Sequence, residues 1–299
     1  MKKRLHIIIL TIISLYAVGY GSLEAQTKRA FLVGISEYTS SLIKSDSIWS
    51  NIHGTNDVEL LSKTLSNQGF REQLILKNQN ATAKNIRLSF DSLSKNCKSG
   101  DTVYIHFSCH GQPVEDVEPF DEEDGWDESL VPVDALMVYG MNRYKGENHI
   151  LDDELNAWFQ TLRKKIGCRG LLIAVLDACH TGTAFRGEDK DDEIYIRGTR
   201  IGFSPTGKKF CPRIDTRGNI LVIPDMELSD ICVLEACRSY QVNAEIRQNG
   251  NFYGPLSYYV NEVFKKYSID DLKWVEDVRR MMQRDIRLIR QNPVIETSF

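Results

Sequence analysis

Two stretches of this sequence carry residue types that can do chemistry together. One is Asp177-Ala178-Cys179-His180-Thr181-Gly182, the other Ser108-Cys109-His110-Gly111-Gln112. A thiol becomes a strong nucleophile only as the thiolate, so a working cysteine needs a group to take its proton. An imidazole does this, and such acid–base help is worth about 10²–10⁴ in rate. Acyl transfer also needs backbone N–H groups aimed at the developing oxyanion, each worth roughly 10²–10³. Gly111, directly after His110, lets a backbone approach a substrate closely. Cys179 is thus the candidate nucleophile and His110 its candidate acid–base partner.

Rival assignments are weaker. His180 follows Cys179 too closely to reach back to it. His106 and His110 have the i, i+4 spacing of a helical zinc pair, but their segment reads as a strand. Four residues of strand span about 13 Å, too far for one metal. No CxxC pair is present, so neither a zinc ribbon nor a thioredoxin-like site is supported. Cys109, Cys232 and Cys237 sit in apolar runs and read as small core residues. His53 and His149 read as surface or helix-end residues.

The elements that must position this pair alternate between strand and helix. Strand signals lie at Arg29 to Ile35, Gln73 to Leu76, Asp101 to Cys109, Leu171 to Leu176 and Ile231 to Ala236. Helical periodicity runs from His53 to Phe70, Ala81 to Leu93, Leu151 to Lys165, Pro255 to Tyr267 and Ser268 to Arg290. Val294-Ile295 could add an edge strand. The stretch from Gly111 to about Asn148 reads as an acidic loop, and Thr181 to Arg217 as a long polar excursion. This order predicts an α/β fold with a mainly parallel sheet and helices on both faces. Functional groups collect at the carboxyl ends of such strands. His110 and Cys179 each lie just past one.

Asp177 lies two residues before Cys179, and residues two apart on a strand share a face. An unpaired carboxylate there would raise the thiol's pKa and oppose activation. Its presence makes better sense if a cationic substrate side chain neutralises it. The bland alternative is that Asp177 caps the following turn. The acidic loop also has two readings. Nine acids lie between Glu115 and Glu128, with no Lys or Arg until Arg143. They form either a solvated loop or part of a hard-cation site, since Ca²⁺ takes several carboxylates.

The whole chain sets further bounds. Its 299 residues suit one large α/β domain or two small ones. The formal charge of −4 makes it a poor generic nucleic-acid binder. Met1-Lys2-Lys3-Arg4, the apolar run from Leu5 to about Val18, and the small and polar residues Gly19 to Gln26 follow the order of a secretory signal peptide. Residues 1–25 are therefore expected to be removed near Ala25. The apolar run is short for a membrane span, so none should remain after cleavage. The expected location is periplasmic, cell-envelope or extracellular. Seven cysteines, an odd number, leave at least one unpaired in an oxidising compartment.

At these motifs the chain resembles the caspase-like cysteine peptidases, most closely the metacaspases and their bacterial relatives. HFSCHG matches the family's H-x-G-H-G segment, with Cys109 where Gly is usual, and DACHTG matches its D-[SA]-C-H-S-G segment. DEEDGWDE from Asp121 to Glu128, followed by Pro132 and Asp134, resembles the stretch after the family's His. Asn56-Asp57, Ile150-Leu151-Asp152-Asp153-Glu154-Leu155, Ala236-Cys237-Arg238 and Gly250-Asn251-Phe252 are also similar. The resemblance covers about residues 28–299. It implies a caspase-like fold with a six-stranded, mostly parallel sheet. It implies a large-subunit-like part to about residue 185, a linker at about 186–220 and a small-subunit-like part at about 221–299.

The resemblance also implies roles. Cys179 attacks, His110 manages the proton, and the N–H groups of Gly111 and Cys179 hold the oxyanion. Asp177 and Asp57 form an acidic pocket for the residue before the cut, P1, which is then Arg or Lys. True caspases bind an Asp there with Arg, and their QACRG-type segment is absent. Some metacaspases use calcium at an Asp pair such as Asp152-Asp153. The family's further ligand past the nucleophile is unmatched, since that region reads Thr183-Ala184-Phe185-Arg186. No organic cofactor is implied. The expected function is a cysteine endopeptidase acting on proteins or peptides. Long polar loops invite nicking, so self-cleavage is expected after one or more of Arg186, Lys190, Arg197, Arg200, Lys208, Lys209, Arg213 and Arg217. The alternative is a non-catalytic caspase-like interaction module.

Overall fold

The apolar run after Thr27 becomes the first strand of a central sheet. In the computed structural model, which describes residues 26–38, 49–116, 122–140, 142–179, 194–214, 220–288 and 291–299, β1 spans Lys28–Gly34. Its side chains alternate between two cores: Phe31 and Val33 enter one, Ala30 and Leu32 the other. This is the period of two that a strand buried on both faces requires. The expected signal segment, residues 1–25, lies outside the described residues. Among the described residues no helix is long and apolar enough to cross a membrane.

The elements then follow in chain order. Helix α1 is Gly54–Asn67, β2 is Glu72–Lys77, α2 is Ala83–Asn96 and β3 is Thr102–Ser108. Strands β4, His110–Glu115, β5, Trp126–Val131, and β6, Ile150–Leu151, precede α3, Asp152–Ile166, and β7, Leu171–Asp177. Next come β8, Ile220–Leu221, β9, Asp230–Glu235, β10, Ile246–Gln248, and β11, Asn251–Tyr253. Helices α4, Pro255–Phe264, and α5, Trp274–Arg284, lead to β12, Val294–Thr297.

The central sheet has the order β2-β1-β3-β7-β9-β12-β8. From β2 to β9 all neighbours are parallel. β12 runs antiparallel to β9. The expected six strands are present, with the two-residue β8 as an addition beside β12. Val294 and Ile295 pair with β9 alone, and β8 covers the other side of β12 only at Glu296 and Thr297. Buried residues of α2 and α3 share one core, and those of α1, α4 and α5 share the other. The α/β fold with helices on both faces is as read from the sequence.

The register fixes where the chemistry sits. Ser108 at the end of β3 pairs with Asp177 at the end of β7. Both chains leave the sheet at that level, His110 and Cys179 each two residues further on.

The stretch from Gly111 to Asn148 differs from its reading as a loop. It holds most of a second, antiparallel sheet, β4-β5-β6. Hydropathy misses it because part of its interior is polar and hydrogen-bonded. Buried Gln112 donates through Nε2 to the carbonyls of Met137 and Ile201, both at 2.8 Å, and its Oε1 contacts His149 Nε2 at 2.9 Å. His149 is accordingly a buried residue, not a surface one. Burial pushes its pKa down to about 4.

Candidate active site

His110 opens β4, two residues past the end of β3, and its ring is wedged between aromatic side chains. It stacks on Trp49 at 5.0 Å and tilts against Tyr38 at 4.9 Å. Its Nε2 lies 2.8 Å from the carbonyl oxygen of Ser50. A carbonyl only accepts, so Nε2 carries the hydrogen and Nδ1 keeps the lone pair. Nδ1 is buried and has no hydrogen-bond partner. Burial lowers the ring's pKa to about 4 although the Ser50 carbonyl favours the cation. At neutral pH the ring is an uncharged base with its lone pair free.

Cys179 is fully buried. Its Sγ–H donates to the Gln241 carbonyl at 2.8 Å. The thiol is therefore parked, and Nδ1 of His110 is not yet engaged. Cys237 sits beside it: the thiol contact with Cys179, together with burial, pushes the Cys237 pKa well up. None of the seven cysteines, all among the described residues, is in a disulfide. Cys109 and Cys232 are buried core residues. His180 lies outside the described residues.

The polar excursion supplies what the sequence alone did not reveal. Arg197 was expected in an accessible loop, yet it is completely buried at the centre of the site. Its carbonyl oxygen accepts from the N–H of Gly111 at 3.2 Å and from that of Cys179 at 3.0 Å. These are the two donors assigned to the oxyanion. Its own N–H donates to the Asn243 carbonyl at 3.0 Å, and the N–H of Glu245 donates to the Tyr195 carbonyl at 2.8 Å. Residues 195–197 thus run as an added strand along 243–245, with an antiparallel bridge between Ile196 and Ala244.

The Arg197 side chain enters the predicted acidic pocket. Nη2 lies 2.7 Å from Asp57 Oδ2 and 2.8 Å from Glu245 Oε1, and Nη1 lies 3.7 Å from Asp177 Oδ1. Nη1 also donates to Ser108 Oγ at 2.6 Å, which in turn donates to Asp57 Oδ2 at 2.6 Å. Among the described residues Asp177 is bonded away from the turn that follows it. It accepts from the N–H of Ser257 at 2.8 Å in the first turn of α4, and from Asn243 Nδ2 at 2.7 Å. Asp57 and Asp177 therefore meet, as the resemblance implies, but they are already neutralised from within the chain.

Three carboxylates face one guanidinium here. Burial, opposed by Arg197 and helped by Asp177 and Glu245, pushes Asp57 up to about 7. Burial also opposes the charge of Glu245, yet Arg197 and His53 hold its pKa below the usual carboxylate range. Burial works against the Arg197 cation, but the three acids more than offset it. The cluster holds the Arg197 guanidinium by charge and by the planar fork of its donors.

Gly254 forms the pocket wall. A Cβ there would lie 2.2 Å from Asp177 Oδ2 and 2.4 Å from Arg197 Nη1. Glu245, Gly254, Asn243 and the Ser50 carbonyl are functional groups that sequence reasoning missed. Gly254 had a local signal, a glycine directly before Pro255 at a helix start. The others had none.

Asp152 and Asp153 stand together in the first turn of α3. Burial, then the charges of Glu122 and Asp153, pushes Asp152 up to about 7. Its Oδ1 is buried without a partner. Asp127 is likewise pushed up to about 7 by burial and by Asp152, Asp116 and Asp153. Acid is in excess here. Even so, among the described residues no three His, Cys, Asp or Glu side chains converge as a metal site would need.

A family model described as metacaspase, peptidase C14 domain, matches residues 28–187. The chain belongs to the metacaspase family. Metacaspase-1 of Mycosarcoma maydis is 24% identical over 83% of this chain and 65% of its own length. Metacaspase-1 of Meyerozyma guilliermondii is 30% identical over 77% of this chain and 60% of its own. The chain thus spans less than two thirds of either relative. A crystal structure of a Geobacter sulfurreducens protein superposes with a TM-score of 0.59 at 18% identity, covering 91% of this chain and 93% of that one. That likeness concerns the fold alone.

Proposed function

We propose that this metacaspase-family chain is a cysteine endopeptidase that cuts after Arg or Lys, and that its own Arg197–Gly198 bond is a substrate. The observation that carries this reading is the seating of Arg197. Its side chain fills the acidic pocket while its carbonyl oxygen accepts from Gly111 and Cys179. A buried thiol lies in the residue that donates one of these bonds.

The chemistry follows from the atoms present. The Cys179 side chain rotates off the Gln241 carbonyl and gives its proton to Nδ1 of His110. The Sγ thiolate adds to the carbonyl carbon of Arg197. The resulting oxyanion stays on the Gly111 and Cys179 N–H groups. His110 then protonates the nitrogen of Gly198 as the C–N bond breaks, leaving a thioester on Cys179. Water, deprotonated by His110, hydrolyses the thioester and regenerates the thiol. No cofactor enters any step. Once Arg197 leaves, three buried carboxylates face an empty pocket, and an Arg or Lys side chain of another protein is its natural ligand.

The order of residues 1–25 supports export to the periplasm, envelope or exterior as part of this proposal. The test of activity is a panel of fluorogenic peptides differing only at P1. Arg and Lys peptides should be cut fastest, and Cys179→Ala should abolish cutting. Faster cutting after Asp or a large apolar residue would remove the Arg/Lys assignment. Undiminished cutting by the Cys179→Ala variant would remove the nucleophile.

A further inference from the structure

The seated segment reads more of a substrate than its Arg. An added strand gains affinity from main-chain bonds and specificity from alternate side chains. Here the backbone bonds fall on Arg197 and Tyr195, which share a face two residues apart. Tyr195 therefore occupies the P3 position, two before P1.

Its ring meets a built platform. His53 and Phe252 stack on each other at 5.0 Å. The Tyr195 ring stands edge-on to His53 at 4.5 Å and to Phe252 at 4.9 Å, both favourable aromatic geometries. His53 is fixed from beneath, because its Nδ1 contacts Glu245 Oε2 at 2.6 Å. The other oxygen of Glu245 holds Arg197 at 2.8 Å. One carboxylate thus supports the P3 platform and the P1 pocket together.

The residue after the cut, P1′, is constrained by space. A Cβ on Gly198 would lie 2.1 Å from the Cys179 carbonyl oxygen and 2.8 Å from its carbonyl carbon. Both are backbone atoms of the residue that must attack, so they cannot move aside as a flexible side chain could. Ile196 between the two anchors is only half-buried, and nothing about it demands one side chain.

We propose that the site takes peptides of the pattern aromatic–any–Arg, cut before glycine, with His53 and Phe252 reading the aromatic residue and the Cys179 backbone excluding larger P1′ residues. This rests on the Arg/Lys peptidase reading above.

The test uses the full chain and internally quenched peptides built on Tyr-Ile-Arg-Gly-Thr. One set replaces Tyr by Ala or Glu, a second replaces Gly by Val, and a third replaces Arg by Asp. The Tyr peptide should exceed the Ala peptide in kcat/KM by about 10-fold, and Gly should exceed Val by at least about 10-fold, the scale set by one well-filled or crowded subsite. Phe252→Ala should bring the Tyr/Ala ratio toward one. Equal rates across the P3 and P1′ sets, with Arg still required, would overturn this inference and leave the peptidase reading intact. Cutting of the Asp peptide in preference to Arg, or no cutting at all, would overturn both.

Discussion

The backbone N–H of Cys179 donates to the carbonyl oxygen of Arg197 at 3.0 Å, so the residue that carries the thiol also grips the carbonyl it would attack. The side chain of Arg197 is locked in the same act, between Asp57, Asp177 and Glu245. The linker is in this respect held as a substrate would be. Its polarity reads as exposure in the sequence, but the polar groups are consumed by a buried ionic cluster.

Arg197 should matter twice. Arg197→Ala removes the P1 side chain and leaves three buried carboxylates without a cation. Self-cleavage before Gly198 should stop. Stability should fall by about 3–5 kcal/mol, the usual cost of stripping one partner from a buried ionic group. Arg197→Lys should keep cleavage, at a reduced rate, because an ammonium cannot reproduce the forked contacts. Denaturant unfolding and intact-mass spectrometry report the two effects. Unchanged cleavage in Arg197→Ala would remove this residue from P1.

Gly254→Ala probes the pocket from its wall. The backbone there has φ of −64°, which alanine adopts freely, so the fold should survive. The methyl group would collide with Asp177 and with the bound guanidinium. Processing and turnover of Arg peptides should fall by about 10² or more, the scale of an ångström-sized misplacement. A folded variant, checked by circular dichroism, that processes normally would contradict the assignment of the pocket.

The pH dependence of processing should betray the environment of His110. The ring must be neutral to accept the thiol proton, and burial holds its pKa at about 4. The first-order rate of self-cleavage should therefore decline on the acid side near pH 4 rather than at the ordinary histidine value of about 6.5. Stopped aliquots across a pH series, quantified by mass, give the profile. An acid limb centred near 6.5 would show that His110 is solvated when it works.

Asp152 offers a stability test of opposite sign to that of a salt-bridged acid. Its folded pKa is raised to about 7, above the unfolded value of about 4. The folded state therefore holds an extra proton between these values, and stability is lost as pH rises through that window. Above pH 7 the charge sits buried beside Glu122 and Asp153. Asp152→Asn should raise the denaturation midpoint at pH 8 and give little or no gain at pH 4. Equal shifts at both pH values would mean that the carboxylate is not strained.

What the sequence made legible follows from locality. Cys179, His110, Gly111 and Asp177 lie in short motifs at strand ends, and β1, β3, β7 and β9 are runs with few charges. Asp57 was visible only through resemblance. Glu245 and Gly254 meet Arg197 across roughly fifty residues of chain, and no local pattern announces such contacts. Ser50 and Gln241 act on the site through backbone carbonyls, which every residue has, so their identity carries no signal, and Asn243 adds a side-chain amide to Asp177 across 66 residues of chain. The β4-β5-β6 sheet escaped because Gln112 and His149 meet inside it through polar atoms.

The most direct measurement is N-terminal sequencing and intact-mass analysis of the purified chain beside its Cys179→Ala and His110→Ala variants. The wild-type chain should release a fragment beginning at Gly198, at a rate independent of protein concentration because the bond is seated within its own molecule. Cys179→Ala should show none of it, and His110→Ala should form it at least about 10²-fold more slowly. A fragment beginning at Gly198 in equal amount from the Cys179→Ala variant, or a wild-type chain that stays intact or is cut only elsewhere, would contradict the account.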